Sequence, residues 1–360
     1  MEALQIENAK KRVLLLSNQV LHYREKVYRY FSRRFEEDGY EFIVASDRFA
    51  SDLEGIGFNA VAMNSLFEWK KLFADTQPDA VILYLHLKDP CFFPALHYCK
   101  RHHIPVIYWG YGVNVLDPYN PLKKMLFRRI GVLSDSIITY SNQTRCNFGR
   151  DLQEKIFVAR NTVDYSDVDR LAYSAKTARL KYGITEPHIL LCVATLKPSK
   201  KVDTLIRLFS NYSDVAVVIA GSGPEEEKIK ALSTADNVYL LGAKYDEDIH
   251  ELFAAADVFT IPGNVGLAIN ESMFWGVPLV TLDGPEGAEI GYMKLGVTGY
   301  IEPDEAHYKE RILNLLYDKG KRDEMSSACV KAYDEEISIA RMYEGYLEAV
   351  KYAVSKLAVN

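Results

Sequence analysis

The sequence predicts an α/β protein with two doubly wound parallel sheets. Short apolar runs alternate with helical patterns along nearly the whole chain, and this alternation is typical of parallel strands joined by crossover helices. The runs are continuously apolar, as expected of strands that are covered on both faces. At 360 residues the chain exceeds one ordinary core, so we expect about two domains.

The first half of the chain contains the elements of the first predicted sheet. Residues 12–17 form an apolar run that ends at Ser17, and a helical pattern follows over 20–37. The polar face of this helix is basic, with Arg24, Lys26, Arg29, Arg33 and Arg34. A second helix is predicted over 94–102, and further strands at 41–45, 60–62, 79–84, 104–108, 136–141 and 155–159. The strand at 79–84 leads to His86, and the strand at 104–108 leads to a loop of glycines and aromatic residues, 109–114.

Residues 121–130 are both cationic and apolar, and two interpretations of them stay open. Such a segment suits a helix that lies on an anionic bilayer, but an ordinary amphipathic helix with a solvated charged face has the same composition. The charge of the chain is uneven: residues 1–160 carry a net charge of +4 and the remainder −10. This asymmetry favours an anionic partner for the first half, although solubility alone also produces it.

The second half repeats the alternation after a polar segment. Strands are predicted at 188–193, 215–220, 237–241, 256–260, 279–281 and 299–301, and three helical patterns follow from 306 to 357. We therefore expect a first domain over 1–160, a linker over 161–186 and a second domain over 187–335. The last helix, 336–360, can cross back to the first domain.

Composition excludes several classes of protein. No apolar run reaches the roughly 18 to 20 residues that a membrane-spanning helix needs, and the N-terminus lacks the pattern of a signal peptide. The five cysteines lack metal-type spacing, so we expect reduced thiols. These features predict a cytoplasmic protein, which is peripheral on a membrane if a basic helix of the first half binds lipid.

Residues 256–281 have the pattern strand, glycine loop, helix, strand, with the loop and helix over 261–278. Gly263 and Gly266 let the backbone approach a ligand closely, and a helix that starts near Leu267 directs N–H groups towards an anion such as phosphate. Glu271, one turn into that helix, can accept hydrogen bonds from two ribose hydroxyls. The alternative is that the glycines only turn the chain and that Glu271 is a solvated helix residue.

Several motifs of the second half resemble the retaining glycosyltransferases of family 4, which have the GT-B fold. They occur in the order of that family at residues 193–206, 220–224, 237–242, 254–258 and 266–278, and together they cover roughly residues 188–303. In the first half the likeness is looser, at 78–79, 104–106 and 159–164. The resemblance implies two Rossmann-like domains with a cleft between them.

The chain departs from the family pattern at three positions. The first glutamate of the family's acidic motif corresponds to Gly263, and the arginine that grips the donor diphosphate corresponds to Thr195. Lys200 is retained, and Lys197 can substitute for the missing arginine. The histidine of the family's first domain corresponds to Tyr111.

The resemblance implies a sugar transfer from a nucleotide-diphosphate donor to a glycan or lipid-linked glycan, with no metal or other cofactor and no nucleic acid partner. A non-catalytic nucleotide-sugar-binding partner of another transferase and a nucleotide-sugar epimerase remain alternatives. We expect Lys200 and Tyr111 to be catalytic, and Ser17, His86, Tyr111 and Asn114 to line the acceptor side. The expected donor site comprises Thr195, Lys197, Lys200, Gly221, Gly263, Asn264, Val265, Gly266, Leu267 and Glu271.

Overall fold

The computed structural model describes residues 10–113, 120–284 and 288–357. The chain forms two compact units, one comprising Met1–Asp164 with Ile339–Asn360 and the other Tyr165–Ser338. Each unit carries one parallel sheet with helices, which confirms the predicted α/β class.

The sheet of the first unit has seven strands among the described residues, in the order β3-β2-β1-β4-β5-β6-β7. Every pair of neighbours is parallel. Its strands are β1 (Lys11–Ser17), β2 (Tyr40–Ser46), β3 (Asn59–Ala62), β4 (Ala80–Tyr84), β5 (Val106–Trp109), β6 (Ser136–Thr139) and β7 (Ile156–Val158). Its first helices are α1 (His22–Glu37), α2 (Trp69–Thr76), α3 (Phe92–Arg101), α4 (Pro121–Leu133) and α5 (Asn142–Arg145).

The apolar runs form strands here because both faces of the sheet are covered. Leu14 and Leu16 of β1 are fully buried in a cluster with Phe92 and Leu96 of α3. The intervening residue Leu15 is also fully buried, although its side chain points to the opposite face. Continuous burial of this kind explains the lack of alternation in the sequence.

The second unit has a six-stranded parallel sheet among the described residues, in the order β10-β9-β8-β11-β12-β13. The strands are β8 (His188–Val193), β9 (Val215–Ala220), β10 (Val238–Leu240), β11 (Val258–Thr260), β12 (Leu279–Leu282) and β13 (Gly299–Glu302). The helices are α6 (Ala175–Tyr182), α7 (Val202–Phe209), α8 (Glu226–Leu232), α9 (Glu247–Ala255), α10 (Ala268–Trp275), α11 (Glu305–Tyr317) and α12 (Lys319–Ala332).

The boundary between the units differs from the expected one. The sequence predicts a linker over 161–186, but residues 161–164 belong to the first unit, and residues 165–186 belong to the second unit and contain helix α6. Ser174 caps the start of α6, and Gly183 ends it with a positive φ of 67°. Lys181 then holds α6 against α9 through ion pairs of 2.6 Å to both Asp248 and Glu251.

The last helix, α13 (Ile339–Leu357), is part of the first unit. The side chain of Tyr346 is fully buried, and its ring centroid lies 4.8 Å from that of Phe31 on α1. The Ser136 hydroxyl of β6 donates a hydrogen bond of 2.8 Å to the carbonyl oxygen of Ala349. The amphipathic pattern at the end of the chain therefore supplies core residues to the first sheet.

Arg24 corrects one expectation about helix α1. It was predicted to lie on an exposed basic face, yet it is only 2% exposed, whereas Lys26, Arg29, Arg33 and Arg34 are exposed. The reason is its place in the first turn of the helix, where its guanidinium lies over the Trp109 ring, 4.7 Å from the centroid.

None of the helices in the described ranges is long and apolar enough to cross a membrane. All five cysteines lie in those ranges, and none of them forms a disulfide.

We predict that Gly345→Ala destabilises the first unit, although alanine normally favours a helix. A β-carbon at Gly345 of α13 would lie 2.7 Å from the carbonyl oxygen of Val158 in β7, so the helix must shift. We expect a loss of about 1 to 3 kcal/mol in the free energy of unfolding, measured by urea denaturation. Gly320→Ala is the matched control, because Gly320 lies on an exposed part of α12 and should gain about 0.5 to 1 kcal/mol. Equal gains at both positions would contradict the tight packing of α13.

Candidate functional site

Three loops of the second unit lie at the carboxyl edge of its sheet. They comprise residues 194–201 after β8, 221–225 after β9 and 261–267 after β11. Because β8 lies between β9 and β11, the chain changes direction across the sheet at β8, and ligands of open parallel sheets bind at such a point. The Leu196 amide donates to the Ser222 carbonyl at 2.9 Å, and the Asn264 amide donates to the Ser199 carbonyl at 3.0 Å. The three loops are therefore joined by backbone hydrogen bonds.

Gly221 is required for the junction between the first two loops. Its φ of 154° lies in a region that residues with a side chain rarely adopt, and a β-carbon would lie 1.8 Å from the carbonyl oxygen of Ala194. In the same loop pair, the side chains of Thr195 and Lys197 are exposed. The structure thus places these three predicted residues side by side at the edge of the sheet.

Gly263 is required for the junction between the first and third loops. A β-carbon at this position would lie 2.0 Å from the carbonyl oxygen of Ser199 and 3.0 Å from the carbonyl carbon of Lys200. No residue with a side chain fits without displacing that backbone. The packing of these two loops is therefore compatible only with glycine at position 263.

The side chain of Lys200 also links the first and third loops. Its half-buried ammonium donates to the carbonyl oxygen of Asn264 and, at 3.3 Å, to that of Val265. In a trans peptide the N–H of the next residue points away from the carbonyl, so the amides of Val265 and Gly266 are directed away from the ammonium. The cation thus binds carbonyl oxygens of the loop that was expected to act beside it on a phosphate.

Glu271 lies in the first turn of α10, after Leu267, the N-cap residue of that helix. Oε1 accepts from Nδ1 of His250 at 2.8 Å and from Nε1 of Trp275 at 3.4 Å, and Oε2 accepts from the Tyr165 hydroxyl at 2.5 Å. Only 13% of the Glu271 side chain is exposed. The carboxylate is therefore held in one orientation, which argues against a freely solvated helix residue.

Aromatic rings surround this carboxylate. The Tyr165 ring stacks on Phe274 with centroids 4.7 Å apart, and Tyr173 packs edge-on against Trp275 at 5.2 Å. Burial is the larger cause and the adjacent charge of Glu271 the smaller cause that raise the pKa of Tyr165 well above its ordinary value. The hydroxyl therefore stays a donor. A carboxylate offers about four acceptor positions, so hydrogen bonds to a ribose hydroxyl remain possible beside these three.

Sequence reasoning did not find Tyr165, His250 or Trp275 as partners of Glu271. His250 occupies a core position of α9 between Ile249 and Phe253, where a histidine is not distinguishable from other buried residues. Tyr165 directly follows the motif at 159–164, and this adjacency was the one available signal. Trp275 lies four residues after Glu271, a helical spacing that brings two side chains together.

The acceptor-side candidates all belong to the first unit, and the structure assigns them different roles. Ser17 is fully buried, and its hydroxyl donates to the Gln19 carbonyl at 2.8 Å, so it closes the turn after β1 and is not available to a ligand. His86 is exposed, and its backbone amide donates to Asp89. The half-buried Tyr111 lies 4.5 Å from the Tyr140 ring. Asn114 lies outside the described residues.

The described ranges contain no cluster of three or more histidine, cysteine or acidic side chains arranged to hold a metal ion. Two pairs of aspartates separated by one residue do occur in the second unit. In the first pair, Asp169 caps a short turn by accepting from the Leu171 amide at 2.9 Å. In the second pair, Asp248 forms the ion pair with Lys181.

Comparison with known proteins agrees with this arrangement. Residues 175–331 match the family model of glycosyl transferases group 1. A GDP-mannose-dependent α-(1-6)-phosphatidylinositol monomannoside mannosyltransferase of Mycolicibacterium smegmatis is 26% identical over 202 residues, which cover 50% of this chain. The chain spans about half of that relative, 52% of its length.

Two solved structures resemble the whole chain. A glycosyltransferase from Rickettsia africae ESF-5 has a TM-score of 0.76 at 14% identity and covers 96% of this chain and 99% of its own. Anabaena Alr3699/HepE in complex with UDP has a TM-score of 0.74 at 15% identity and covers 95% of this chain and 99% of its own. At this level of identity the likeness shows the fold.

The motifs at the carboxyl edge of the second sheet, the family match and the two parallel α/β units agree with one another. The chain has the GT-B fold, and residues 175–331 of its second unit match the family model of glycosyl transferases group 1.

Proposed function

We propose that this protein is a retaining glycosyltransferase that moves a sugar from a nucleotide-diphosphate donor to a hydroxyl of a glycan or lipid-linked glycan. The observation that carries the proposal is the single segment in which the loop bound by Lys200 leads directly to the oriented carboxylate of Glu271. This segment offers a cation, backbone amides and a carboxylate, which suit a diphosphate and a ribose. The mycobacterial relative depends on GDP-mannose and the Anabaena protein binds UDP, which supports a nucleotide-linked donor.

In the proposed reaction, the bond between the sugar's anomeric carbon and the diphosphate oxygen breaks. The acceptor hydroxyl forms the new bond on the same face of the sugar, and its proton passes to the leaving phosphate. Lys200 stabilises the negative charge that grows on the diphosphate. Tyr111 takes the position of the family's histidine. This scheme assigns the stabilising charge to the protein itself and uses no metal ion.

Lys200 must exchange partners for this role. A lysine ammonium has three donors, and in this structure it donates to the carbonyl oxygens of Asn264 and Val265. A phosphate oxygen is charged and is therefore a stronger acceptor than a carbonyl. Donor binding is thus expected to draw Lys200 towards the phosphate and to loosen the junction between the loops.

A nucleotide-sugar-binding partner without activity is the second candidate, because Gly263 and Thr195 replace two ligand-binding residues of the family. Incubation of the purified protein alone with donor sugars tests the choice. Transfer or donor hydrolysis supports the enzyme, whereas binding without turnover supports the partner. An epimerised donor sugar would identify the third alternative. Calorimetric titration with UDP, GDP and dTDP then identifies the base of the donor.

We predict that Glu271→Gln weakens nucleotide binding by about 1 to 3 kcal/mol without unfolding the protein, because a charge-assisted hydrogen bond to the ribose is lost. Calorimetry with the nucleotide that binds best provides the measurement. Glu227→Gln, which removes an exposed carboxylate from α8, is the control and should bind as the native protein does. Tyr165→Phe should cause a smaller loss of affinity, since it removes one of the donors that orient Glu271 but keeps the charge of the carboxylate. Unchanged affinity in Glu271→Gln would remove this residue from the site.

We predict that Lys200→Ala reduces the transfer step by about 3 to 4 kcal/mol, roughly a hundred- to a thousand-fold in rate, while donor affinity falls less. The reason is that charge on the leaving diphosphate grows in the transition state. Single-turnover rates and donor titrations separate the two effects. Lys197→Ala tests whether the exposed Lys197 replaces the missing arginine. A clear loss of transfer rate supports that role, and an unchanged rate shows that Lys197 is only a solvated loop residue. Near-native transfer by a folded Lys200→Ala protein would refute the phosphate-loop assignment.

We further propose that helix α4 lies on an anionic membrane. Leu122, Met125 and Val132 are exposed on this helix by 68%, 61% and 53%, although they are apolar. Exposed basic residues accompany them, namely Lys124, Arg128 and Arg129. Arg128 is paired with Asp151 at 3.1 Å, so Lys124 and Arg129 are the stronger candidates for lipid contact. An apolar and cationic helix surface of this kind is complementary to a bilayer with anionic headgroups.

We predict that the double substitution Lys124→Gln and Arg129→Gln weakens binding to phosphatidylglycerol vesicles about thirtyfold, because each charge near such a surface contributes about 1 kcal/mol. Co-sedimentation with vesicles measures the effect, and high salt should reduce native binding as well. The control is Lys70→Gln with Lys71→Gln, which removes the same charge from exposed positions of α2. Equal losses in both double variants, or no native binding, would exclude α4 as the contact.

A further inference from the structure

Arg24 is a buried cation that has no counter-ion among the described residues of the first unit. Its side chain is 2% exposed, and within the described residues Nε and Nη1 have no hydrogen-bond partner. Its neighbour Glu25 faces His22, whose Nδ1 is 3.9 Å from the carboxylate, and the described part of the chain places no carboxylate in an ion pair with Arg24. Burial of an unpaired charge costs several kcal/mol, so the position is unfavourable unless a ligand uses it.

Arg24 lies at the point of the first sheet where ligands are expected. It belongs to the first turn of α1, directly after β1, and its guanidinium lies over the rings at the carboxyl ends of β4 and β5. These rings, Tyr84 and Trp109, are stacked with centroids 3.9 Å apart. Because β1 lies between β2 and β4, the chain changes direction across the sheet at β1, as it does at β8 in the second sheet.

The surroundings of Arg24 contain further polar atoms without partners. Among the described residues, these are Nε1 of Trp109 and the hydroxyl oxygens of Tyr28 and Tyr346. Each group can donate a hydrogen bond, and more than nine in ten buried polar groups in proteins have a partner. Tyr23, 5.2 Å from the guanidinium, and Tyr84 are only partly buried, so the cluster reaches the surface of the unit. A group of buried donors around one cation has the chemistry of an anion site.

We propose that Arg24 and these aromatic residues form a binding site for the anionic group of a sugar, a carboxylate or a phosphate. The guanidinium binds the anion, the indole N–H and tyrosine hydroxyls donate to its oxygens, and the partly exposed rings of Tyr23 and Tyr84 contact the sugar ring. The inference rests on the proposed function and deepens it, because it makes the acceptor an acidic glycan. Its failure leaves nucleotide binding in the second unit unaffected.

Calorimetric titration of the full-length protein with glucuronate, glucose 6-phosphate and glucose tests the site. We expect one of the two anionic sugars to bind at least tenfold more tightly than glucose, and the better one shows whether the anion is a carboxylate or a phosphate. Arg24→Gln should abolish this preference. Arg29→Gln, which removes an exposed arginine from the same helix, should retain it. Nucleotide affinity is measured in parallel and should not change in either variant.

A second measurement separates binding from structural support. If Arg24 serves a ligand, Arg24→Met should leave the unfolding temperature unchanged or raise it while removing the anion preference, since an unpaired buried charge is lost. If Arg24 only braces the rings, Arg24→Met should lower the unfolding temperature. In the native protein the preferred sugar should also change the fluorescence of Trp109, and Trp109→Phe should remove that change. Equal binding of all three sugars to the native protein, or an anion preference that survives in Arg24→Gln, would overturn the proposal.

Discussion

The loops at the carboxyl edge of the second sheet depend on the close approach of Gly263 to the carbonyl oxygen of Ser199. The approach leaves no space for a β-carbon, and it brings the carbonyls of Asn264 and Val265 within reach of the Lys200 ammonium. One steric constraint therefore determines where the glycine loop lies, where Lys200 lies and which backbone groups of the loop face it. This packing is compatible only with glycine at position 263. A glutamate introduced there would displace the loop before it reached a ligand.

The side chain of Glu271 is held in one orientation by its neighbours. Three donors from α9, from α10 and from the segment before α6 converge on one carboxylate. Such partners reduce the conformational entropy that the Glu271 side chain would lose on binding a ligand, because its rotamer is already selected. The segment 165–186 therefore contributes Tyr165 to this hydrogen-bond network, in agreement with its place in the second unit.

Much of the architecture was predictable from the sequence, and the reasons are local. Strands such as β1 and β9 are buried on both faces, so their apolar runs are unambiguous, and the glycine loop at 261–267 has a strong turn pattern. Helix α6 was missed because its polar composition resembles a linker, although Ser174 and Gly183 are ordinary capping residues. The placements of Arg24, Ser17 and His250 depend on which element packs above them, and no pattern along the chain contains that information.

Glu271 in the second unit and Arg24 in the first unit are both largely buried charged side chains, but they differ in the partners that surround them. In the second unit, three donors already bind the Glu271 carboxylate before any ligand arrives, so a ligand adds to an existing network. In the first unit, the guanidinium of Arg24 rests on aromatic faces, and its Nε and Nη1 lack acceptors among the described residues. Cation–π contacts compensate only part of the cost of burying a charge. A stable fold tolerates such a cost where a ligand recovers it, so the first unit carries its strongest functional signal at Arg24.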